Sequence, residues 1–225
     1  MKDILQEIIA AKRIAVEQLK RTADRSALER KIDENRSHRS MREALAASTS
    51  GIIAEFKRRS PSKGWINREA DVRTVASDYQ ANGAAALSIL TDTPYFGGSA
   101  EDLIAAALPL ARCRELAATA HRLGLEVLLE IHSEKELDYI SDEVDMIGVN
   151  NRNLGTFDTR VGNSFRLAGQ LPQDRLLVSE SGISDPETVK KLREAGFRGF
   201  LIGENFMKTA DPGYGLDTFI KTLNL

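Results

Sequence analysis

The sequence holds few of the residues that mark a disulfide-rich, zinc-binding or membrane protein. A single cysteine excludes an internal disulfide framework, and three widely spaced histidines form no zinc pattern. No apolar run approaches the ~20 residues of a membrane-spanning helix, and residues 1–13 carry charges throughout, unlike a signal peptide. A net charge of −2 gives no basic field for nucleic acid. We therefore expect a cytoplasmic protein that binds neither nucleic acid nor membrane.

The first 48 residues have a helical pattern. Apolar residues within 2–22 recur at spacings of three and four, which predicts an amphipathic helix. The highly charged segment 23–40 predicts an exposed helix or linker. A short helix should then begin after Ser40, which has Glu43 three residues later, the pattern of a capping box.

From residue 52 onward, short apolar runs alternate with amphipathic stretches. The apolar runs are 52–56, 85–90, 125–131, 145–150, 175–180 and 199–204, and the helical patterns between them include 71–83, 133–143 and 185–196. Near-continuous apolar strands that alternate with helices predict a parallel sheet covered by helices, an α/β fold.

Polar residues follow these strands repeatedly, and they separate two parallel architectures. A doubly wound sheet would favour a glycine-rich loop after its first strand, but that strand leads into KRRSPSKG. A TIM-type βα barrel carries functional residues at the carboxyl ends of its strands. The polar residues and glycines at six successive strand ends are Glu55 and Lys57, Thr91 and Asp92, Glu130, Asn150 and Arg152, Glu180 and Ser181, and Gly203 and Glu204. This pattern favours the barrel.

Two features of these strand ends have both a structural and a functional interpretation. Glu55 and Lys57 should point to the same side of their strand, either as a surface ion pair or as the rim of an active site. The segments SESGIS (179–184) and IGENF (202–206) place small residues after the last two strands. Such glycines either allow tight turns or bind phosphate through backbone N–H groups, as in many barrels.

Several segments together resemble the indole-3-glycerol phosphate synthase family of tryptophan biosynthesis. They are IIAEFKRRSPSKG, ALSILTDTPYFGGS, VLLEIHS, IGVNNRNLGTF, VSESGIS and FLIGENFM, and the helical extension matches as well. The resemblance implies a lyase that closes the ring of 1-(2-carboxyphenylamino)-1-deoxyribulose 5-phosphate, releasing CO2 and water to give indole-3-glycerol phosphate. It implies no metal and no organic cofactor. The resemblance favours the interpretation of Glu55 and Lys57 as the rim of an active site.

The resemblance also implies roles for residues at the strand ends. Glu55 and Asn150 would orient the sugar, and Lys57 would pair with the substrate's anionic groups. Glu130 would be a general acid or base, and Glu180 would hold a substrate hydroxyl. The residues implied to bind substrate or phosphate, or to order the rim, are Ser60, Arg152, Ser181, Gly182, Gly203 and Glu204. The family often has serine at position 204; a carboxylate is unfavourable beside a phosphate, so this side chain should point away.

The chain is short for a complete barrel. Residues 50–225 number 176, whereas a full barrel has roughly 250 residues, or about 31 per βα unit. Only 35 residues (92–126) separate the second predicted strand from the next clear one. The family's third strand ends in Leu-Arg-Lys-Asp-Phe, whose lysine is regarded as the main general acid, and this chain has no such motif. We expect one domain over 1–225, with a helical extension (1–48), a barrel (49–225) and a deletion near 99–111.

Alternatives remain open on structure and on function. Residues 104–109 could be a strand, giving seven, or residues 99–124 could be one helix, giving six. The altered barrel edge is compatible with a monomer or with a homo-oligomer joined there. The main functional alternative is a catalytically dead barrel that still binds phosphate esters, or a truncated folding variant. A related isomerase, phosphoribosylanthranilate isomerase, would use a cysteine, but Cys113 lies in a helix-like context.

Overall fold

The computed structural model describes residues 4–22, 40–90, 92–98, 120–122, 124–153 and 158–224. The helices are α1 (Ile4–Thr22), α2 (Met41–Ala47), α3 (Val72–Ala81), α4 (Thr93–Phe96), α5 (Gly162–Ala168), α6 (Pro186–Glu194), α7 (Glu204–Met207) and α8 (Pro212–Leu223), with a 3₁₀ helix at Glu134–Tyr139. The strands are β1 (Ile52–Phe56), β2 (Arg59–Ser60), β3 (Gly64–Trp65), β4 (Ala86–Ile89), β5 (Leu128–Ile131), β6 (Met146–Asn150), β7 (Leu176–Glu180) and β8 (Phe197–Ile202).

The strand order identifies a barrel sheet rather than a doubly wound one. The six main strands lie in the order β4-β1-β8-β7-β6-β5, and every pair is parallel. The first strand therefore pairs with the last, and the strands follow chain order around the sheet, as in a TIM-type barrel. In a doubly wound sheet, the order of the strands along the sheet would reverse at a switch point near its centre. The described residues thus form a barrel sheet reduced to six strands, with a separate β2–β3 hairpin after β1.

The two ends of this strand order differ from its middle. Strand β1 is buried along its whole length, whereas β4 has no buried residue, and Leu87 and Ile89 on it are 39% and 44% exposed. Strands β4 and β5 are not hydrogen-bonded to each other in the described part of the chain. The proposed strand at 104–109 lies outside the described residues. Within the predicted helix 99–124, the described residues 120–122 have helical backbone.

Period-two alternation builds the interior of the sheet. Ile53, Met146 and Val178 project to the inner face and pack with Leu45 of α2, which closes the amino-terminal end of the strands. Residues two positions further along the same strands continue on that face toward the carboxyl ends. The opposite face packs against the helices in a larger cluster that includes Phe200. The interior is therefore apolar at one end and polar at the other.

Local signals explain most helix boundaries. Ser40 caps α2 by accepting from the Glu43 N–H at 2.9 Å, which confirms the predicted start. The predicted helix over 133–143 is wrong in length and type, because only Glu134–Tyr139 is helical and it is a 3₁₀ helix. Leu137, and Ile140 at the C-cap three residues later, both pack against the core. No helix in the described ranges is long and apolar enough to cross a membrane.

Candidate active site

Four candidate residues meet on the inner face at the carboxyl ends of the strands. Glu55 follows Ile53 by two positions, Glu180 follows Val178, and Asn150 lies opposite Glu180 in the β6–β7 register. Glu130 lies on the same side of β5, opposite Gly148. Alternation and parallel register therefore bring together residues that are up to 125 positions apart in sequence.

Glu55 and Lys57 form a direct ion pair at the end of β1. Both are largely covered, because the Lys57 side chain is 13% exposed and the Glu55 side chain 8%. Gly203, after β8, packs against this pair, and a methyl group at 203 would overlap the Glu55 carboxylate. The predicted same-side placement is confirmed, and the pair lines a cleft rather than lying on an open surface.

Glu130 is held by an amide and a histidine. The Asn150 side chain donates to its carboxylate at 2.6 Å, and His132 Nε2 lies 3.3 Å from the same oxygen. Burial raises the pKa of Glu130, but these two groups outweigh it and hold the pKa below its ordinary value. Desolvation is the largest single influence, and only the combined effect of the two hydrogen bonds and the His132 charge exceeds it. The contact with Glu130 in turn raises the pKa of His132.

Glu180 has the opposite environment. It is 5% exposed, and its Oε1 has no hydrogen-bond partner among the described residues. Burial raises its pKa well above the ordinary value, and the nearby Glu130 and Glu55 carboxylates raise it further. Gly148 provides the space, since a methyl group there would overlap this carboxyl. The interior thus holds one glutamate that favours ionisation and one that favours the neutral acid.

The loop after β7 has a strained backbone. Ser181 has φ of 68°, and Gly182 follows with φ of 77°. Such a left-handed value is uncommon for serine and is usually held by surrounding structure. A methyl group on Gly182 would lie 2.6 Å from Thr159, so the loop after β6 packs directly against this turn. Consecutive backbone N–H groups in turns form anion-binding concavities in many proteins.

A buried polar network supports this loop and was not identified from the sequence. Asn151 donates to the Ser181 carbonyl at 3.2 Å and to Ser179 Oγ at 3.1 Å. Its side-chain oxygen accepts from Ser164, which itself contacts Ser179 at 2.8 Å. All three side chains of this network are buried. The only sequence signal was the second asparagine of the VNN segment, which no motif distinguished from its neighbour.

A cleft of about 560 Å³ opens at this end of the sheet. Its lining comes from the loops that follow β1, β6, β7 and β8. The lining residues include Glu55, Lys57, Lys63, Arg152, Asp158, Thr159, Ser181–Ser184, Gly203, Glu204 and Lys208. Ser60, a predicted binding residue, does not line the cleft. It is 2% exposed and accepts from the Lys63 N–H at 3.2 Å, so it shapes the loop that presents Lys63. Glu130, Asn150 and Glu180 lie outside the lining of this cleft.

The orientation of Glu204 beside a bound phosphate stays a prediction. In the structure its carboxylate faces the cations of the cleft and lies 3.8 Å from both Lys63 Nζ and Arg152. The physical reason is that the cations Lys63 and Arg152 both line the cleft beside residue 204 and attract its carboxylate. Arg152 is fixed by Thr159, whose hydroxyl accepts from its Nε at 3.2 Å.

Within the described residues, no group of three or more histidine, cysteine or acidic side chains could hold a metal ion. The arrangement has instead two acids whose pKa values are shifted in opposite directions, a largely covered lysine, and strained or glycine-containing loops next to cations. The fold and this site define the chain as a TIM-type βα-barrel enzyme.

Comparisons with known proteins identify the family. The sequence profile described as indole-3-glycerol phosphate synthase matches residues 5–112 and 103–222. Indole-3-glycerol phosphate synthase of Bacteroides thetaiotaomicron is 56% identical over 259 aligned positions, covering 99% of this chain and 100% of the relative. Those of Polaromonas sp. (strain JS666) and Polaromonas naphthalenivorans are 36% and 35% identical, covering 96% of this chain and 97% and 98% of each relative. The chain belongs to the indole-3-glycerol phosphate synthase family, whose members are carboxy-lyases of tryptophan biosynthesis.

Proposed function

We propose that this chain closes the ring of 1-(2-carboxyphenylamino)-1-deoxyribulose 5-phosphate to form indole-3-glycerol phosphate, CO2 and water. The observation that carries the proposal is the convergence of Glu55, Lys57, Glu130, Asn150 and Glu180 on the inner face at the carboxyl ends of the strands. Acidic and basic side chains of these kinds suit the reaction, because a carbonyl oxygen that gains negative charge and a departing hydroxyl group both need a proton donor.

The substrate phosphate binds in the cleft between the loops after β7 and β8. The backbone around Ser181–Gly182 and Gly203–Glu204 supplies N–H donors, and Lys63 and Arg152 supply positive charge. Lys57 faces the anionic part of the substrate from β1 and is held in place by Glu55. The reacting end of the substrate then extends toward Glu130, Asn150 and Glu180.

The two interior glutamates have different roles. Glu130 favours the ionised form and is the base that removes a proton during ring closure or dehydration. Glu180 favours the neutral form, so it donates a hydrogen bond to a substrate hydroxyl. Asn150 orients Glu130 through its 2.6 Å bond and leaves its own oxygen for the Arg152 N–H at 2.8 Å. Pairs of carboxyl groups with divergent pKa values are a recurrent acid–base arrangement.

The proposal includes the loss of one βα unit. The alignment with the Bacteroides relative spans 259 positions, 34 more than the chain has residues, so at least 34 of its positions lack a counterpart here. The two profile matches overlap at residues 103–112, which supports a junction within or near 99–111. The lost unit carries the family's third-strand lysine. Turnover is therefore at least ~10³-fold slower than in a complete relative, because a positioned general acid and its surroundings are absent.

The second candidate function is a phosphate-ester-binding barrel without catalysis. It is favoured by one observation, the exposure of Glu130. Its side chain is 42% exposed on β5, an edge of the six-stranded order. Water that reaches this carboxylate weakens its interactions with a substrate, whereas the largely covered Glu55–Lys57 pair beside the cleft does not depend on that edge.

Turnover of the anilino-ribulose phosphate by the full chain, followed by indole fluorescence, tests the proposal. We expect slow but measurable product formation that Glu130→Gln reduces further. The matched control is Glu136→Gln, which removes another carboxylate near His132 (3.6 Å) but not the one that Asn150 holds. If the unmodified chain forms product no faster than the Glu130→Gln variant, the result would favour the phosphate-ester-binding barrel without catalysis.

A further inference from the structure

The cleft after β7 and β8 already contains an anion, supplied by the protein itself. Glu204 is the first residue after Gly203, and its two carboxylate oxygens face two different cations. Oε1 lies 3.8 Å from Lys63 Nζ and Oε2 lies 3.8 Å from Arg152. All three residues line the same cleft. In this state the carboxylate neutralises the positive charge that an incoming phosphate would use.

The three side chains differ in their freedom to move. Arg152 is 21% exposed and is tied to Thr159, while its backbone N–H donates to Asn150 at 2.8 Å. The Glu204 side chain is 35% exposed and has no other ion pair than these two among the described residues. Lys63 is 60% exposed on the loop between β2 and β3. A phosphate that approaches the cations would therefore displace the Glu204 carboxylate rather than move Arg152.

Charge makes this displacement necessary. A phosphate monoester carries up to two negative charges, and a third charge within about 4 Å of the same cations is repelled. Phosphate and the Glu204 carboxylate cannot both occupy the space between Lys63 and Arg152. The ester therefore binds more weakly, because breaking two partly exposed ion pairs costs free energy.

We propose that Glu204 is an affinity-determining residue that competes internally with phosphate for Lys63 and Arg152. The inference rests on the proposed function for the nature of the ligand, a phosphate ester, but not on catalysis. The carboxylate also sets selectivity, because a ligand must supply enough negative charge to displace it. Esters with a dianionic phosphate displace it, and neutral sugars or monocarboxylates do not.

Calorimetric titration of the full chain with inorganic phosphate at low ionic strength tests this assignment. Glu204→Gln keeps the size of the side chain and removes its charge. We expect this variant to bind phosphate about tenfold more tightly than the parent chain, the effect of losing two modest ion pairs. Asp217→Asn is the control, since it removes one negative charge from an exposed pair with Lys221 on α8 and should leave the dissociation constant unchanged.

Glu204→Ser provides a second variant should the glutamine side chain disturb the loop, and it should also bind phosphate more tightly. Equal or weaker binding by both variants, or no binding by any of the chains, would overturn the inference. Weaker binding would mean that Glu204 instead arranges the two cations for the ligand. Tighter binding by the variants without any turnover of the anilino-ribulose phosphate would support the inference while the proposed catalysis fails. Turnover of the anilino-ribulose phosphate with unchanged phosphate affinity in the variants would support the proposed catalysis and overturn the inference about Glu204.

Discussion

The two sides of the inner face differ in how well the sheet covers them. Toward β7, β8 and β1, the candidate residues are enclosed, with Glu55 6% exposed and Glu180 5% exposed. Toward β5, Glu130 has the same side-chain type and the same position near a strand end, but its side chain is 42% exposed. Position in the strand order, rather than residue type, accounts for the difference, because among the described strands β5 lies at an edge of the order and β1, β7 and β8 do not.

This comparison separates binding from chemistry. The cleft that suits phosphate depends on loops after β1, β6, β7 and β8, all interior strands of the six-stranded order. The proposed acid–base chemistry depends in part on Glu130, at an edge of the described strand order, and on the third-strand lysine that the family resemblance implies and the chain lacks. A βα barrel assembles its site from several strand ends, so losing one unit affects some functions more than others. We therefore expect ligand binding to survive better than turnover.

The largest expected effect comes from restoring the missing unit. Inserting into residues 103–112 the segment of the Bacteroides relative that lacks a counterpart here should raise kcat at least ~10³-fold, because it returns a positioned general acid. Steady-state assays of the two chains measure this. The same insertion with its lysine changed to alanine is the control. Comparable kcat values in the original and restored chains would show that another donor has assumed the role.

Removing the exposed glutamate should have the next largest effect. Glu130→Gln is expected to reduce kcat by about 10²-fold in the restored chain, the usual scale for one acid–base group. The original chain should lose less, since its chemistry is already limited elsewhere. The pH profile of kcat distinguishes the role, because loss of a base should remove the acidic limb. An unchanged acidic limb would assign the base to another residue.

The enclosed side can be perturbed through Gly203. Gly203→Ala places a methyl group against the Glu55 carboxylate, so it should cost about 1–3 kcal/mol of unfolding free energy and weaken phosphate binding. Gly169→Ala is the matched control, because a methyl group there meets nothing within 4 Å. Urea unfolding and phosphate titration of both variants provide the comparison. Equal stability of the two would show that the β1–β8 contact is looser than described.

A smaller effect is expected at Glu180, and it depends on pH. Its pKa is raised in the folded protein, so the unfolded state loses its proton first as pH rises, and stability falls through that range. Glu180→Gln should therefore raise the unfolding free energy by about 1–2 kcal/mol at pH 8. The gain should shrink as pH falls toward the ordinary glutamate pKa. Denaturant unfolding at several pH values measures it, and a gain that is independent of pH would contradict a neutral Glu180.

Patterns with a single physical meaning were predictable from the sequence. Strand β1 lies at its predicted residues, 52–56, and the period of two places Glu55 and Lys57 on one side. The barrel architecture follows from polar residues at successive strand ends, and the pairing of β1 with β8 confirms it. The Ser40 cap also follows from local chemistry alone.

Features that depend on contacts between distant segments were not predictable. The Glu204 carboxylate faces Lys63 and Arg152, which are 141 and 52 residues away in sequence, so its orientation could not be inferred from its own loop. His132 gains a role only because Glu130 and Glu136 both approach it. The Asn151 network joins three segments through buried polar contacts, which no local sequence pattern predicts.

Phosphate binding by the original and restored chains tests the separation of binding from chemistry most directly. Trp65, the single tryptophan, is 49% exposed on β3, next to the turn that carries Lys63, so its fluorescence can report a titration with inorganic phosphate. The account predicts dissociation constants within about threefold of each other, while kcat differs by at least ~10³-fold. Phosphate binding that appears only when the missing unit is restored would contradict it.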